Sequence, residues 1–201
     1  MKKQDLERAL QALEPVRAPR PDIEQYATPA GIAAEVAYIA LGKGDLAGRT
    51  VLDAGCGAGV LALAAALCGA ARVTAVDVDP EVIDVARRNG AKLRADVEWR
   101  VADVRQIEGT FDTVLMNPPF GSQTKHADLP FLDRALDLGR VVYSFHNAKT
   151  ERFIAKRIGV RGGRVTDRLA YGFPIPRTFR FHRDEERRVD VVLMRIEAAK
   201  G

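Results

Sequence analysis

The ten residues Val51-Leu52-Asp53-Ala54-Gly55-Cys56-Gly57-Ala58-Gly59-Val60 decide the fold class of this 201-residue chain. The apolar run at 51–54 is typical of a buried strand, and an apolar helical pattern begins at Val60. Glycines between a strand and a helix let the backbone approach a ligand at the N-terminus of that helix. A tight turn without a ligand gives the same pattern, so neighbouring residues must separate the two interpretations.

The glycine spacing and the residue before the turn indicate the charge of the ligand. The spacing is G-x-G-x-G rather than the dinucleotide pattern G-x-G-x-x-G, and Asp53 precedes the first glycine by two positions. A carboxylate there repels a pyrophosphate and attracts a positive charge, such as the amino group or sulfonium of S-adenosylmethionine. The turn therefore predicts a site for this cofactor, with contacts from Asp53, Gly55, Gly57, Ala58, Gly59 and Val60.

Two further carboxylates follow later strands. Asp77 ends the second strand about 20 residues after the glycines, where an acidic residue accepts hydrogen bonds from ribose hydroxyls. Asp79 precedes Pro80 and is predicted to cap the next helix. Asp103, followed by Val104, is predicted to accept from the adenine amino group beside an apolar wall, with a simple turn aspartate as the alternative.

Strand-like runs alternate with helical patterns after Gly44, which predicts a parallel sheet covered by helices. No convincing helix separates the last two strands, so we expect a doubly wound α/β sheet that ends in an antiparallel pair. A short helix and a proline-rich stretch precede the sheet. We expect one domain, 1–201, in which residues 1–45 precede a core of residues 46–201. The predicted strands are 51–54, 73–77, 97–101, 111–116, 141–145, 164–171 and 189–196, and the main helices are 30–41, 60–67, 80–93, 129–138 and 150–158.

The tetrapeptide Asn117-Pro118-Pro119-Phe120 follows the apolar strand 111–116, at an edge where open parallel sheets bind ligands. A plain turn also produces Asn-Pro. The prolines remove two N–H donors, which leaves the Asn117 amide oxygen and the Pro118 carbonyl as acceptors for a substrate amino group. Phe120 is predicted to stack on an extruded base. These four residues are therefore the predicted catalytic group.

Composition excludes several other classes. No apolar run approaches the roughly 18 residues of a membrane helix, and the N-terminus has no apolar segment typical of a secretory signal, so we expect a cytoplasmic protein. The two cysteines, Cys56 and Cys68, have no partners at ligand spacing, so we predict neither a disulfide framework nor a metal site.

The C-terminal part of the chain is basic. Residues 151–201 hold 13 basic and 7 acidic side chains, and Phe179 and Phe181 lie among the arginines of the last connection. This pattern indicates a nucleic-acid surface, with a solvated loop as the alternative. The predicted RNA contacts are Lys125 in the polar loop after the tetrapeptide, His146 at a strand end, and Arg177, Arg180 and Arg183. A buried structural role is the alternative for His146.

The chain resembles the N6-adenine RNA methyltransferases of the small-subunit ribosomal RNA type. The likeness runs through the glycine turn and is carried by Gln25-Tyr26-Ala27-Thr28-Pro29, Asn117-Pro118-Pro119-Phe120-Gly121 and Val142-Tyr143-Ser144-Phe145-His146. It implies a seven-stranded Rossmann-like class I methyltransferase sheet with helices on both faces and an antiparallel last strand. It also implies that Gln25 and Thr28 close over S-adenosylmethionine and that the tetrapeptide holds the target adenine.

The resemblance further implies a partner. Eukaryotic members accept a small zinc-binding activator protein at the strand around Trp99, a strand at the sheet edge, although burial in the core is the usual position of a strand tryptophan. Methylation of a glutamine side chain in a protein is a second activity for such a tetrapeptide, but those enzymes typically carry Tyr where this chain has Phe120. A catalytically silent RNA-binding module is the third alternative.

Overall fold

The computed structural model describes residues 1–16, 27–120, 127–174 and 188–199. Its strands are β1 (Thr50–Ala54), β2 (Arg72–Asp77), β3 (Glu98–Val101), β4 (Phe111–Met116), β5 (Gly139–Asn147), β6 (Arg164–Pro174) and β7 (Arg188–Glu197). Its α-helices are α1 (Lys3–Gln11), α2 (Ala30–Gly42), α3 (Val60–Leu67), α4 (Pro80–Leu93), α5 (Leu129–Leu138) and α6 (Glu151–Val160). Short 3₁₀ turns cover Val104–Gln106 and Ala148–Thr150.

The described strands form one sheet of seven strands in the order β3-β2-β1-β4-β5-β7-β6. Strands β1 to β5 are parallel, and β7 is antiparallel to both β5 and β6. The strand order reverses between β1 and β4, which is where open α/β sheets form their ligand crevice. The predicted α/β class, with its antiparallel last strand, is confirmed.

Helices cover both faces of the sheet. On one face, α1, α2 and α3 bury Leu6, Leu10 and a series of small residues from Ala33 to Ala65. On the other face, α5 and α6 bury Leu132, Leu136, Ile154 and Ile158. Among the described helices, none combines the length and the apolar composition needed to cross a bilayer. The two buried layers fix the sheet rigidly and leave its carboxyl edge for the site.

The last strand lies inside the sheet rather than at its edge, because β7 pairs with β5 on one side and with β6 on the other. The run Val191-Val192-Leu193-Met194 is fully apolar and buried, as expected for a strand covered on both faces. Strand β6 is mostly half-exposed and lies at the edge. The antiparallel pair was predicted from the sequence, but its order in the sheet was not.

A buried polar network at Asp45 joins the end of α2 to three strands. The Arg195 guanidinium donates to Asp45 Oδ2 at 2.8 Å, and the Tyr143 hydroxyl donates to the same oxygen at 2.7 Å. Thr113 Oγ1 donates to the Asp45 carbonyl at 2.5 Å. Asp45 and Arg195 are each 9% exposed, so water screens their ion pair poorly. The network therefore ties the N-terminal helices to β4, β5 and β7.

We expect Arg195→Met to lower the free energy of unfolding by about 3 kcal/mol, because it leaves the Asp45 carboxylate buried without its cation. Chemical denaturation measures this change. Arg72→Met is the matched control, since Arg72 pairs with Glu98 on the surface and such pairs contribute less than about 1 kcal/mol. Equal losses in the two variants would contradict the assigned role of the network.

Candidate active site

The turn after β1 owes its shape to its three glycines. Gly55, Gly57 and Gly59 have φ angles of 75°, 53° and 87°, in the left-handed region that disfavours side chains. Gly59 is the residue before α3 and offers no side-chain cap to this helix. The Asp53 carboxylate replaces that cap, because its Oδ2 accepts from the Ala62 amide in the first turn of α3 at 2.8 Å.

The other oxygen of Asp53 points to a ligand. Asp53 is 1% exposed, and its Oδ1 atom has no hydrogen-bond partner among the described residues. Burial raises the pKa of this carboxyl to about 7, although the Ala62 amide opposes the shift. A buried carboxylate oxygen without a donor is costly, and a positively charged group would supply the missing partner. This observation fits the amino group of S-adenosylmethionine.

A cavity of about 610 Å³ lies at the reversal of the strand order, within the size range of small-molecule sites. Phe131 of α5 is the only aromatic side chain among the described residues of its wall, and the sequence analysis did not single it out. Most predicted residues lie together here. Those that line the cavity are Thr28, Asp53, Gly55, Gly57, Ala58, Val60, Asp77, Asp103, Val104, Asn117, Pro118 and Pro119.

Asp77 is held ready to accept from a ligand. Its Oδ2 accepts from the Gly57 amide at 3.0 Å and its Oδ1 from the Asp79 amide at 3.1 Å, and each oxygen retains a second lone pair. Burial raises the pKa of this carboxyl. The contact of Asp77 with ribose hydroxyls stays a prediction, for which these lone pairs are available. Asp79 caps α4 as predicted, accepting from the Glu81 and Val82 amides.

Asp103 lines the cavity, but Arg105 already binds its carboxylate. The Arg105 backbone amide donates to Asp103 Oδ1 at 2.9 Å, and the Arg105 guanidinium pairs with both oxygens. These hydrogen bonds lower the pKa of Asp103. An adenine amino group would have to share this carboxylate with Arg105, a partner that the sequence analysis missed.

Asn117 lies beside the glycine turn. Ala54, the last residue of β1, pairs with Met116, the last residue of β4. Gly55 and Asn117 are therefore the first residues after two adjacent strands. The Asn117 Nδ2 atom donates to Thr28 Oγ1 at 3.1 Å, across 89 positions of sequence. Thr28 therefore contacts the predicted catalytic asparagine as well as the cavity, whereas the resemblance implied only a contact to the cofactor.

Two predicted residues lie outside the wall of the cavity. Phe120 is 7% exposed and packs edge-to-face against Phe173, with 6.1 Å between ring centroids, so its ring has no open face for a base in this structure. Gly59 faces Trp99 instead of the cavity, because a Cβ atom at Gly59 would lie 2.6 Å from the Trp99 ring. Trp99 is half-buried, and it packs against both the core and this turn.

His146 is an internal residue, in contrast to the predicted RNA contact. Its ring is fully buried, with Nδ1 3.0 Å from Asp128 Oδ2 and Nε2 2.7 Å from Ser144 Oγ. Asp128 precedes α5, the helix that carries Phe131 into the cavity wall. Ser144 is also fully buried, so the three residues hold α5 against β5 and offer no nucleophile to a substrate.

Asn89 of α4 fixes another wall, and nothing in the sequence pattern singled it out. It is 1% exposed, and its Oδ1 accepts from the Glu14 amide at 2.8 Å. Its Nδ2 donates to the carbonyls of Glu14 and Ala58, each at 3.0 Å. Asn89 thus joins the glycine turn to the segment after α1, where Leu13, Glu14, Pro15 and Val16 line the cavity.

The remaining predicted site residues lie outside the described part of the chain. They are Gln25, Lys125, Arg177, Arg180 and Arg183. Within the ranges that the structure describes, no three His, Cys, Asp or Glu side chains form a group that could hold a metal ion.

The pKa of Asp53 gives a measurable pH dependence. Because the folded pKa is raised, the stabilising effect of the protonated carboxyl is complete below the usual value near 3.8 and is lost as pH rises through about 7. Asp53→Asn should therefore flatten the fall in unfolding free energy between about pH 4 and pH 7, and stabilise the ligand-free protein by roughly 1 to 3 kcal/mol at pH 8.

Denaturant titrations at several pH values measure this effect. Asp112→Asn is the control, because hydrogen bonds from Thr50 lower the pKa of Asp112 and give a change of the opposite sign. Identical pH slopes for the parent protein and Asp53→Asn would exclude a raised pKa at this position.

Comparisons with known proteins identify the family of this chain. The family model for the methyltransferase small domain matches residues 38–136. The rRNA N(6)-adenosine-methyltransferase Mettl5 of Drosophila melanogaster is 37% identical over 98% of this chain and 97% of its own length. The corresponding enzyme of Danio rerio is 31% identical over 97% of this chain and 98% of its length.

A solved structure shows the same fold. The crystal structure of a candidate RNA methyltransferase from Pyrococcus horikoshii superposes with a TM-score of 0.91 at 40% identity, over 100% of this chain and 99% of that one. Sequence similarity over nearly full length and one shared architecture point to common descent. The chain belongs to the family of the rRNA N6-adenosine methyltransferases.

Proposed function

We propose that this protein transfers the methyl group of S-adenosylmethionine to the N6 amino group of an adenosine in RNA, specifically small-subunit ribosomal RNA. The observation that carries the proposal is one cavity that contains both an unpartnered buried carboxylate oxygen of Asp53 and the acceptor residues Asn117 and Pro118. The Asp53 oxygen attracts a cationic methyl donor. Asn117 and Pro118 accept hydrogen bonds from an amine. Relatives named as rRNA N6-adenosine methyltransferases support the substrate.

The proposed cofactor contacts use three carboxylates. S-adenosylmethionine supplies an electrophilic methyl group on a sulfonium. Asp53 Oδ1 would face its amino group, and Asp77 would accept from the ribose hydroxyls while it holds the Gly57 amide. Asp103 and Val104 form the wall assigned to the adenine. A cavity lined by these acidic groups repels the pyrophosphate of a dinucleotide, which argues against a dehydrogenase.

The target amine would be positioned rather than deprotonated by a strong base. An exocyclic amine conjugated to a ring is a poor nucleophile until its hydrogens are held out of plane. The Asn117 amide oxygen and the Pro118 carbonyl would accept those two hydrogens and direct the nitrogen lone pair toward the methyl donor. Phe120 stays a predicted stacking residue, but its ring must leave Phe173 to receive a base.

The sheet brings the basic last connection toward the same edge. Asn147, the last residue of β5, pairs with Val191, and β7 begins three residues earlier at Arg188. Arg188 pairs with Pro174, the last residue of β6. Both ends of the connection that contains Arg177, Arg180 and Arg183 therefore lie beyond the carboxyl end of β5, which supports their proposed contact with RNA.

The proposal includes a partner and a location. Strand β3 lies at the sheet edge with no described strand on its outer side, and Val101 is 49% exposed there. A small zinc-binding activator, as the resemblance implies, would add a strand at this edge. A cytoplasmic location, expected from the sequence, would give access to ribosomal RNA.

The direct test supplies isotope-labelled S-adenosylmethionine with transcribed small-subunit rRNA in one reaction and with a release factor protein in another. Mass spectrometry of the digested RNA should find N6-methyladenosine at one position. If the label appeared in a glutamine side chain of the release factor and none appeared in RNA, the proposed activity would be wrong and protein methylation would take its place.

Asn117→Ala should reduce methyl transfer on the order of 100-fold, since loss of an acceptor leaves the amine mispositioned. Calorimetry should show the affinity for S-adenosylmethionine changed by less than about threefold. Asn147→Ala is the matched control, because Asn147 also ends a strand but accepts from the Lys149 amide. Parallel loss of transfer and cofactor binding in Asn117→Ala would contradict the assignment.

Thr28→Val should lower kcat roughly tenfold, because the hydroxyl that holds the Asn117 amide is lost while the side-chain volume is kept. Thr28→Ser should restore most of the rate. Steady-state kinetics and cofactor titration separate this positioning effect from a cofactor contact. A raised dissociation constant for the cofactor with kcat unchanged would assign Thr28 to the cofactor alone.

A further inference from the structure

The outer side of α6 and the 3₁₀ turn before it carry exposed cations with an aromatic residue among them. Lys149, Arg152, Phe153 and Lys156 are all exposed, and Phe153 is 45% exposed. We call these four residues the α6 stripe. Arg152 and Lys156 are one helical turn apart, or about 6 Å along the axis. Ile154 and Ile158 face the opposite way and are fully buried, so the helix is anchored and the stripe faces solvent.

The cations of the stripe differ from the other basic residues around α6. Arg157 pairs with Asp133, Arg161 with Asp137, and Arg168 with Glu151. The acidic side chains near this helix are therefore used by other partners.

Lys149, Arg152 and Lys156, in contrast, make no ion pair with any described residue. Three unpaired positive charges on one side of a helix repel one another and are stabilised by a polyanion.

The stripe begins at the edge of the sheet that holds the active site. Ser144 of β5 pairs with Met116 of β4, so Asn117 and the last residues of β5 lie at the same edge. The 3₁₀ turn Ala148–Thr150 follows β5 directly and leads into α6. Lys149 therefore lies at the carboxyl edge, and Arg152 and Lys156 continue from it down one face of the sheet.

We propose that the α6 stripe is a second RNA-binding surface, which holds the phosphate backbone of the substrate beside the site where the target adenosine is modified. Lys149, Arg152 and Lys156 contact phosphates, and Phe153 stacks on an unpaired base. The inference rests on the proposed RNA substrate and adds a surface outside the last connection. Contacts between the stripe and the phosphate backbone would also orient an RNA that is larger than the cavity.

RNA is favoured over a membrane because of how α6 is oriented. A helix that lies on a bilayer turns its apolar face toward the lipid. Here that face, with Ile154 and Ile158, is buried against the sheet. The outward side combines separated cations with a single exposed aromatic ring, which is typical of a surface that follows a nucleic-acid strand.

The test compares the triple variant Lys149→Gln, Arg152→Gln, Lys156→Gln with the parent protein. Affinity for transcribed small-subunit rRNA is measured by fluorescence anisotropy from 50 to 300 mM salt. We expect roughly tenfold weaker binding at 150 mM salt and a salt slope smaller by about 2 to 3, one unit for each lost phosphate contact. Phe153→Ala should weaken binding severalfold, and Phe153→Tyr should restore it.

A charge-matched control separates a local contact from net charge. Lys2→Gln, Arg8→Gln and Arg94→Gln remove three exposed cations, at the start of α1, within α1 and just after α4, across the sheet from α6. This control should keep the parent affinity and slope. Equal losses in both triple variants, or no change in the α6 variant, would overturn the proposal. So would α6-dependent binding to anionic phospholipid vesicles with RNA binding unchanged.

Two further readouts distinguish failure of this inference from failure of the proposed function. The affinity for S-adenosylmethionine and the melting temperature should be the same in the α6 variant and the parent, while KM for RNA rises. If the parent protein methylates rRNA and the α6 variant keeps the same KM, only the stripe is refuted. If the parent methylates no RNA, the proposed function fails, and the absence of specific rRNA binding would refute the stripe with it.

Discussion

The site depends on one constraint, the parallel pairing of β1 with β4 at the point where the strand order reverses. This pairing places the glycine turn next to Asn117. Helices on both faces prevent the two strands from shifting relative to each other, since a slip by one residue would turn every buried side chain to the wrong face. The distance between the two halves of the cavity is therefore set by backbone hydrogen bonds.

Local patterns predicted the elements well because they depend on neighbouring residues. Helices α3, α4 and α5 begin and end where the sequence places them, since Gly59, the Asp79-Pro80 cap and flanking turn residues define their ends. The cavity residues at strand ends were predicted for a similar reason, because parallel strands bring their carboxyl ends to one edge. Hydrophobic periodicity and helix caps therefore indicate the ends of helices and strands even when the fold is not known.

Contacts between distant residues could not be predicted in this way. Asn89 with Glu14, Arg195 with Asp45, and Thr28 with Asn117 are separated by 75, 150 and 89 positions. Each contact joins residues whose separation in sequence is unrelated to the period of a helix or a strand. The predicted RNA contact of His146 conflicts with its burial for the same reason, since the sequence shows a polar residue near a strand end but not its contacts with the Asp128 and Ser144 side chains.

The insertion of β7 between β5 and β6 affects the order in which the chain can assemble. Among the described strands, β6 touches only β7, so it has no place in the sheet until residues 188–197 have been synthesised. The pairing of β7 with β5 joins residues at least 44 positions apart, as in Asn147 with Val191. It costs loop entropy before it gives contacts, which makes it a late event. During translation, the half of the sheet with β1 to β5 can form a binding crevice first, while β6 remains an unpaired edge exposed to misassociation or chaperones.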